Sequence, residues 1–201
     1  HTRDRRQRQM CIRDSFALDI ETDVVKEIDK LHMMRRGSGV LNSDLRLHQS
    51  TRFDELVINF NHCLKQVHEY YNYDCTGFRI SSMWANKYEP GTAQEPHRHA
   101  NAYWSGNFYA TGGSPTLFYD PIHDRAQGQM EIFTLPKMSK HGFDQNGPYV
   151  ERVTAIRNRL IIFPSWFWHS TAAAEMDRYT ISFNALPYGP INGGIANLEI
   201  L

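Results

Sequence analysis

After residue 73 the chain consists of short runs of β-branched and aromatic residues, separated by Gly, Pro and Asn. Such runs are typical of β-strands, and the residues between them are typical of turns. No long helical pattern separates the runs, so we expect antiparallel sheets arranged as a sandwich, a jelly roll or a small barrel. The runs are GFRISSMWANKY, NAYWSGNFYA, PTLFYD, YVERVTAI, RLIIFPSWFWH and RYTISFNALPYG.

Residues 16–72 show the periodicity of helices instead. In ALDIETDVVKEIDKLHMM and in TRFDELVINFNHCLKQVHEYY the apolar residues recur mainly three or four positions apart. This spacing puts them on one face of a helix, so we predict helices that brace the sheets. The first stripe consists of Ile20, Val24, Ile28 and Leu31, and the second of Phe53, Leu56, Val57, Phe60, Leu64 and Val67.

The chain is long enough for one domain with a sizeable core, which we place at residues 16–201. Within it we expect helical support at 16–76, a β-rich core at 77–190 and a C-terminal tail at 191–201. The opening stretch HTRDRRQRQMCIRDS is rich in arginine and nearly free of apolar residues, and MCIRDS resembles translated sequencing-adapter sequence. We therefore expect residues 1–15 to be a non-native or disordered tail.

Charge and cysteine content narrow the classes of partner. Lys plus Arg and Asp plus Glu number 22 each, so the net charge gives no sign of nucleic acid or of an anionic membrane surface. No apolar run approaches the roughly 20 residues of a membrane-spanning helix. The cysteines are widely spaced and form no CxxC pair, which favours a reducing, cytoplasmic setting over a disulfide framework.

The segment EPHRHANAYWSG contains two histidines, His97 and His99, that are one residue apart. On a strand, residues i and i+2 share a face, so both imidazoles can reach one metal ion. A third histidine, His169, ends the buried run RLIIFPSWFWH. A bare His-x-His is common by chance, but its combination with His169 and the nearby Arg178 indicates a metal site.

Alternation within RYTISFNA separates a polar face from an apolar face. The polar face carries Arg178, Thr180, Ser182 and Asn184, and the apolar face carries Tyr179, Ile181, Phe183 and Ala185. We predict that the polar face lines a ligand cavity and that the apolar face packs on the N-terminal helices.

Four segments resemble, in order, the motifs of the Fe(II)- and 2-oxoglutarate-dependent oxygenases, above all a subgroup from marine bacteria and their phages. They are PHRHANAYWSGNFYA, LFYDP, LIIFPSWFWHS and RYTISFNA, and the resemblance covers residues 16–189. It implies a mainly β fold, the double-stranded β-helix or cupin-like jelly roll, braced by N-terminal helices.

The same resemblance implies cofactors and their site. Fe(II) would be held by His97, His99 and His169, and the distal carboxylate of 2-oxoglutarate would pair with Arg178, helped by Thr180. A guanidinium stays charged and forms planar bidentate pairs with carboxylates, which suits this role.

The implied activity is that of a dioxygenase, an oxidoreductase that we expect to act as a hydroxylase. Dioxygen is the co-substrate, and oxidative decarboxylation of 2-oxoglutarate is coupled to oxidation of a C–H bond in a small-molecule or peptide substrate. Tyr109 shares strand parity with Ser105 and Asn107, so it either contacts the oxo acid or packs as a buried tyrosine.

One position departs from the family pattern. Most members have Asp or Glu where this chain has His99, which gives two histidines and one carboxylate. Glu95 and Asp120 are acidic alternatives, but neither lies at the expected spacing. We therefore predict a site of three histidines.

Other functions remain compatible with the histidines. Gly91, five residues and then His97-x-His99 match the opening of a cupin motif. A three-histidine cupin-type metalloprotein that does not use 2-oxoglutarate, acting as a dioxygenase, an isomerase or a binder, is thus the main alternative. A zinc hydratase or hydrolase also uses three histidines and a water, and a non-enzymatic scaffold would carry them incidentally. Neither zinc nor cupin chemistry explains Arg178 so close to His169.

Overall fold

The structure, a computed structural model, describes residues 16–35, 37–119, 150–192 and 198–200. The strands within these ranges are β1 Phe16–Asp19, β2 Met34–Arg35, β3 Leu41–Asn42, β4 Gly77–Tyr88, β5 Trp104–Tyr109, β6 Gly113–Tyr119, β7 Val150–Ala155, β8 Arg159–Pro164, β9 His169–Thr171, β10 Arg178–Ile191 and β11 Leu198–Ile200. The α-helices are α1 Val25–Ile28 and α2 Asp54–Tyr71, and the 3-10 turns Leu47–Gln49 and Thr51–Phe53 precede α2.

The strands form two sheets. The large sheet has the order β1-β8-β5-β10-β4-β3-β2, with β11 paired to β10, and the small sheet has the order β7-β6-β9. All of these strand pairs are antiparallel. Each of the six predicted runs contains a strand, so the prediction of a mainly β, antiparallel core is confirmed. The strand β11 lies within the stretch expected as a C-terminal tail.

Helix α2 covers the outer face of the large sheet. Its apolar stripe is buried apart from Val57, which is half-buried, and the Phe60 ring lies 4.9 Å from that of Phe183 on β10 and 5.9 Å from that of Phe108 on β5, between centroids. Burial of one such side chain contributes about 1.5–3 kcal/mol. The predicted α2 stripe and the predicted apolar face of β10 are therefore both confirmed. That face joins the same core through Tyr179, Ile181, Phe183 and Ala185.

The inner faces of the two sheets also pack on each other and form a second apolar core. A cavity lies beside this second core. In it, apolar residues of β5 and β8 meet apolar residues of β6 and β7. The Phe118 and Phe163 rings, for example, make an edge-to-face contact across it with centroids 4.8 Å apart.

The predicted helix over residues 17–34 is wrong. Phe16–Asp19 form β1, which pairs with β8, and α1 covers only Val25–Ile28. The apolar residues of the stripe are still largely buried, but only Ile28 lies in a helix, and the others lie in the irregular segments that flank α1. Helical periodicity is a local pattern, whereas β1 is stabilised by hydrogen bonds to a strand about 140 residues away along the chain. The β-branched residues of this segment also lower its helix propensity.

Several expectations fall on positions outside the described residues. These are the tail at residues 1–15, the acidic alternative Asp120 and most of the last residues after 192. Among the helices that the structure describes, none is long and apolar enough to cross a membrane.

Gly106 on β5 lies where the ring of Phe183 passes over the strand. A Cβ at this position would overlap that ring, which Phe60 of α2 holds from the other side. We predict that Gly106→Ala lowers the free energy of unfolding by about 1–3 kcal/mol, as overpacking does in other cores, measured by urea denaturation. At Gly37 an added Cβ meets nothing within 4 Å, so Gly37→Ala should change stability by less than about 0.5 kcal/mol. Equal effects at both positions would contradict this packing.

Candidate metal centre and cavity

Three histidines lie together where the two sheets meet. One ring nitrogen each of His97, His99 and His169 lies within 4.8 Å of the others, and the described part of the chain holds no second such group. The ring centroids of His97 and His169 are 4.3 Å apart, and that of His99 is 5.3 Å and 5.2 Å from these two. The structure thus brings together the three residues that the sequence singled out, and their role as ligands stays a prediction.

Backbone pairing places these side chains. His97 and His169 exchange two N–H to O bonds of 2.9 Å, and the His99 N–H donates to the Ser165 carbonyl at 2.9 Å. The sequence suggested that His97 and His99 lie on a strand, but neither belongs to a strand of either sheet. They lie in a segment that pairs with the start of β9 and with the turn before it. The pairing gives the same i, i+2 geometry without a regular strand.

Each imidazole has a hydrogen-bond acceptor beside Nδ1. The pairs are His97 with the Glu95 carbonyl (2.8 Å), His169 with the Phe167 carbonyl (3.0 Å) and His99 with Asn184 Oδ1 (2.6 Å). Carbonyl and amide oxygens only accept, so in each ring Nδ1 carries the proton. The Nε2 lone pairs are then free to bind a metal ion.

Burial keeps all three rings neutral. It lowers the pKa of His97, lowers that of His99 to about 4, and lowers that of His169 well below the ordinary value. For His169 the neighbouring histidines act in the same direction. Neutral imidazole is the form that binds metals, so no ring has to lose a proton near neutral pH.

No described carboxylate joins the three histidines. Glu95 is exposed and meets the group only through its main-chain carbonyl, while Asp120 lies outside the described residues. The rings of Phe118 and Phe163 lie 5.8 Å and 4.8 Å from that of His169, between centroids, and make its surroundings apolar.

The histidines open onto a cavity of about 440 Å³. Its described lining contains no Asp, Glu, Lys or Arg, and burial keeps its histidines neutral. Trp84 and Asn86 of β4 both line it, and the Trp84 ring is stacked on His99 with centroids 5.8 Å apart. One wall comes from the hairpin of β2 and β3 and the loop after it, through Gly37, Ser38, Asn42 and Leu45.

Arg178 lies buried beside this cavity, with only 1% of its surface exposed. The guanidinium lies over the rings of Tyr88 and Tyr109, at 4.8 Å and 5.4 Å from their centroids, and its Nη2 donates to Thr116 Oγ1 at 3.4 Å. Its Nε and Nη1 have no hydrogen-bond partner among the described residues. Buried N–H groups of a cation are costly to leave unpaired, so this arrangement fits an anionic ligand.

Tyr109 and Thr180, the other two predicted cofactor residues, lie in the protein interior. Tyr109 is fully buried and donates its hydroxyl to Thr116 Oγ1 at 2.8 Å, and Thr180 is fully buried and accepts from Asn86 Nδ2 at 2.9 Å. Neither lines the cavity. They therefore support the wall rather than form it.

The sequence did not reveal Tyr88, Thr116 and Thr171 as parts of the site, and it placed Asn184 on the polar face of β10 without revealing its contact with His99. Tyr88 could have been identified from strand parity, because it lies on the same face of β4 as Asn86, which lines the cavity. Thr116 and Thr171 become neighbours only through the register of β6 with β9, and no local pattern in the sequence contains that pairing.

The hydroxyl of Thr116 serves two buried donors, Tyr109 and Arg178. We predict that Thr116→Val lowers the free energy of unfolding by about 1–3 kcal/mol, because both donors lose their acceptor, measured by chemical denaturation. Thr154→Val on β7 is the matched control, since Thr154 is exposed. Equal stabilities of the two variants would show that these hydrogen bonds contribute nothing.

Comparison with known proteins adds a sequence match over the site. Residues 82–184, just over half of the chain, match the model of a family described as "Putative 2OG-Fe(II) oxygenase". This range contains the three histidines and Arg178. No curated protein sequence matches the chain.

Solved structures share the fold at low sequence identity. HygX from Streptomyces hygroscopicus, with nickel, 2-oxoglutarate and hygromycin B bound, is 12% identical, with 87% of this chain and 83% of that chain covered and a TM-score of 0.62. The non-heme alpha-ketoglutarate-dependent epimerase SnoN from nogalamycin biosynthesis is 14% identical (98% and 86% covered, TM-score 0.63). A Trichoplax adhaerens prolyl hydroxylase in complex with a peptide fragment is 13% identical (89% and 86% covered, TM-score 0.55). The predicted double-stranded β-helix is thereby confirmed.

Proposed function

This chain belongs to the 2OG-Fe(II) oxygenase family, and we propose that it is a hydroxylase with Fe(II) on His97, His99 and His169 and 2-oxoglutarate on Arg178. One observation carries this assignment: three neutral imidazoles converge beside a buried arginine that has two unpaired N–H groups. A cupin without 2-oxoglutarate, or a zinc hydrolase, gives no use to that arginine. Membership of the marine bacterial and phage subgroup, and a cytoplasmic location, stay predictions.

The three histidines fit a divalent iron ion. Imidazole nitrogen is a good ligand for iron, and three protein ligands leave positions open for other molecules. When bound, Fe(II) and 2-oxoglutarate supply the oxidising chemistry, in which decarboxylation of the oxo acid by dioxygen is coupled to oxidation of a C–H bond. The chain's own residues orient these groups and, through Phe118 and Phe163, keep water from the His169 side.

The surroundings of Arg178 fit a dicarboxylate. Nε and Nη1 are unpaired N–H donors on one planar, charged group, and either can form a forked pair with a carboxylate together with an N–H of Nη2. Burial raises the pKa of Tyr88, although the Arg178 guanidinium opposes the shift, so its hydroxyl stays protonated and able to donate. Tyr88 and Thr116 both contact Arg178 and line the cavity, and so connect the anchor to the open space.

The cavity supports a small-molecule or peptide substrate. Its volume of about 440 Å³ lies within the ~300–1,000 Å³ of small-ligand sites. The described lining offers amides and hydroxyls rather than charges, which favours a neutral, hydrogen-bonding group at the reacting end of the substrate. Hygromycin B in HygX and the peptide fragment in the Trichoplax hydroxylase are ligands of these two kinds.

We expect His97→Ala, His99→Ala and His169→Ala each to weaken Fe(II) binding by more than about tenfold. Loss of an outer-shell partner alone costs ~10–100-fold, and loss of a direct ligand costs at least as much. Anaerobic titration with Fe(II) measures this. Glu95→Ala and the exposed His62→Ala should bind like the wild type. If His99→Ala kept full affinity while Glu95→Ala lost it, the proposed ligand set would be wrong.

Arg178→Ala should weaken 2-oxoglutarate binding while Fe(II) binding survives. Removal of one partner of a buried charge pair costs about 2–5 kcal/mol, which is between one and four decades in Kd at ~1.4 kcal/mol per decade. Calorimetric titration of 2-oxoglutarate into Fe(II)-loaded protein without oxygen measures the loss. Arg178→Lys should restore affinity only partly, because an ammonium lacks the planar fork.

The control for this experiment is Arg157→Ala, since Arg157 is an exposed arginine paired with Asp23 on the surface. It should leave 2-oxoglutarate affinity unchanged. A purely structural Arg178 would give the opposite pattern, in which Arg178→Ala lowers the melting temperature and the folded fraction binds the oxo acid normally. Absence of 2-oxoglutarate binding in the wild type with Fe(II) would favour the cupin alternative.

A further inference from the structure

His99 differs from the other two histidines in what holds its ring. The Nδ1 atoms of His97 and His169 meet main-chain carbonyls two residues earlier, which no side-chain substitution removes. His99 Nδ1 meets the side chain of Asn184, on β10, at 2.6 Å. The orientation of His99 therefore depends on one replaceable residue.

Asn184 is itself held in place. The Ser105 hydroxyl donates to the same Oδ1 atom at 2.9 Å, and the two residues are directly paired between β5 and β10. Ser105 is 1% exposed and Asn184 is 7% exposed, so water does not compete for these bonds. The same Oδ1 atom therefore accepts from both Ser105 and His99. The Trp84 ring stacked on His99 restricts the remaining motion of the imidazole.

We propose that Asn184, supported by Ser105, is a positioning residue that holds His99 as the Nδ1–H tautomer with Nε2 turned to the metal. The importance of His99 to the enzyme rests on the proposed function, whereas its tautomer is a property of the metal-free fold. An imidazole binds through a single in-plane lone pair, so its tautomer and rotation must both be set. Loss of the acceptor makes the Nε2–H form accessible, and that form cannot bind a metal through Nε2.

The position of His99 makes this support more important here than in a site with two histidines and a carboxylate. A carboxylate has two oxygens with several lone pairs and no tautomer to fix. Where His99 replaces it, a second residue has to supply the orientation. Asn184 does so without adding charge, which keeps the whole group of described side chains around the centre neutral.

A first experiment reads the tautomer directly. In metal-free protein with ¹⁵N-labelled histidine, nitrogen chemical shifts should assign the Nδ1–H form to His99 in the wild type and in Asn184→Asp, which keeps the acceptor oxygen. Asn184→Leu, similar in size but without an acceptor, should shift His99 toward the Nε2–H form while His97 and His169 stay unchanged. An unchanged His99 in Asn184→Leu would overturn the proposal.

A second experiment measures metal affinity with Co(II) as the probe, titrated alone and followed by its visible absorption. Asn184→Leu should bind ~10–100-fold more weakly, as expected for loss of an outer-shell partner, and Asn184→Asp should stay within a few-fold of the wild type. Ser81→Ala is the matched control, because the Ser81 hydroxyl donates to the main-chain carbonyl of Asn184, at 3.2 Å, and not to its side chain. Equal affinity of Asn184→Leu and wild type would overturn the proposal.

Further outcomes distinguish the proposed role of Asn184 from a failure to fold, from a failure of the proposed function and from a role in packing alone. If Asn184→Leu does not fold, the pair Ser105→Ala/Asn184→Leu removes the unpaired hydroxyl that a lone leucine would leave, and the same tautomer shift and affinity loss are expected from it. A wild type that binds no Co(II) or Fe(II) would contradict the proposed function. The ¹⁵N chemical shifts of the histidines in metal-free protein would still decide the role of Asn184. A role in packing alone would lower the melting temperature and leave the His99 tautomer as it is.

Discussion

The reciprocal pair of main-chain hydrogen bonds between His97 and His169 is the contact on which the site depends. It ties an irregular segment before β5 to the first residue of β9, in the other sheet. The ring of His97 is thereby set next to that of His169, and His99 follows two residues later with its own bond to Ser165. Two sheets packed through apolar side chains have some freedom to slide, but two directional main-chain bonds fix one register.

Burial between the sheets has two opposite effects on the charged and polar groups of the site. It disfavours protonation of the histidines and so prepares them for a metal ion. It also leaves the unpaired N–H groups of Arg178 in a poor environment, only partly relieved by Thr116 and the two tyrosine rings. An anion that binds there offsets the desolvation cost of these N–H groups, which the fold already bears. The free protein is thereby preorganised for an anionic ligand.

Patterns that repeat within a segment were predictable from the sequence, and contacts set by pairing between distant segments were not. Period-two alternation identified the core strands and sorted β10 into a polar inner face and an apolar helix face, and the three- and four-residue steps identified α2. Of the four residues on that polar face, however, only Ser182 lines the cavity. The same reasoning failed for Phe16–Asp19, whose strand exists only because β8 accepts it. It also missed Thr116, whose partner Thr171 lies 55 residues away, and it placed Asn184 on the polar face of β10 without predicting its contact with His99, 85 residues away.

The hairpin of β2 and β3 supplies one wall of the cavity, yet it lies before residue 82, where the family match begins. The proposed iron ligands and the oxo-acid anchor all lie after that point. One wall of the cavity is thus encoded before the stretch that carries the proposed cofactor residues, while Trp84, Asn86, Asn107 and Ser182 within that stretch supply other parts of the lining. Under the proposed function, we expect a change in the length or composition of the hairpin to alter which molecule fits while the proposed cofactor residues stay in place. For natural variation or directed evolution, this makes the hairpin a modular element that can diverge while the chemistry stays fixed.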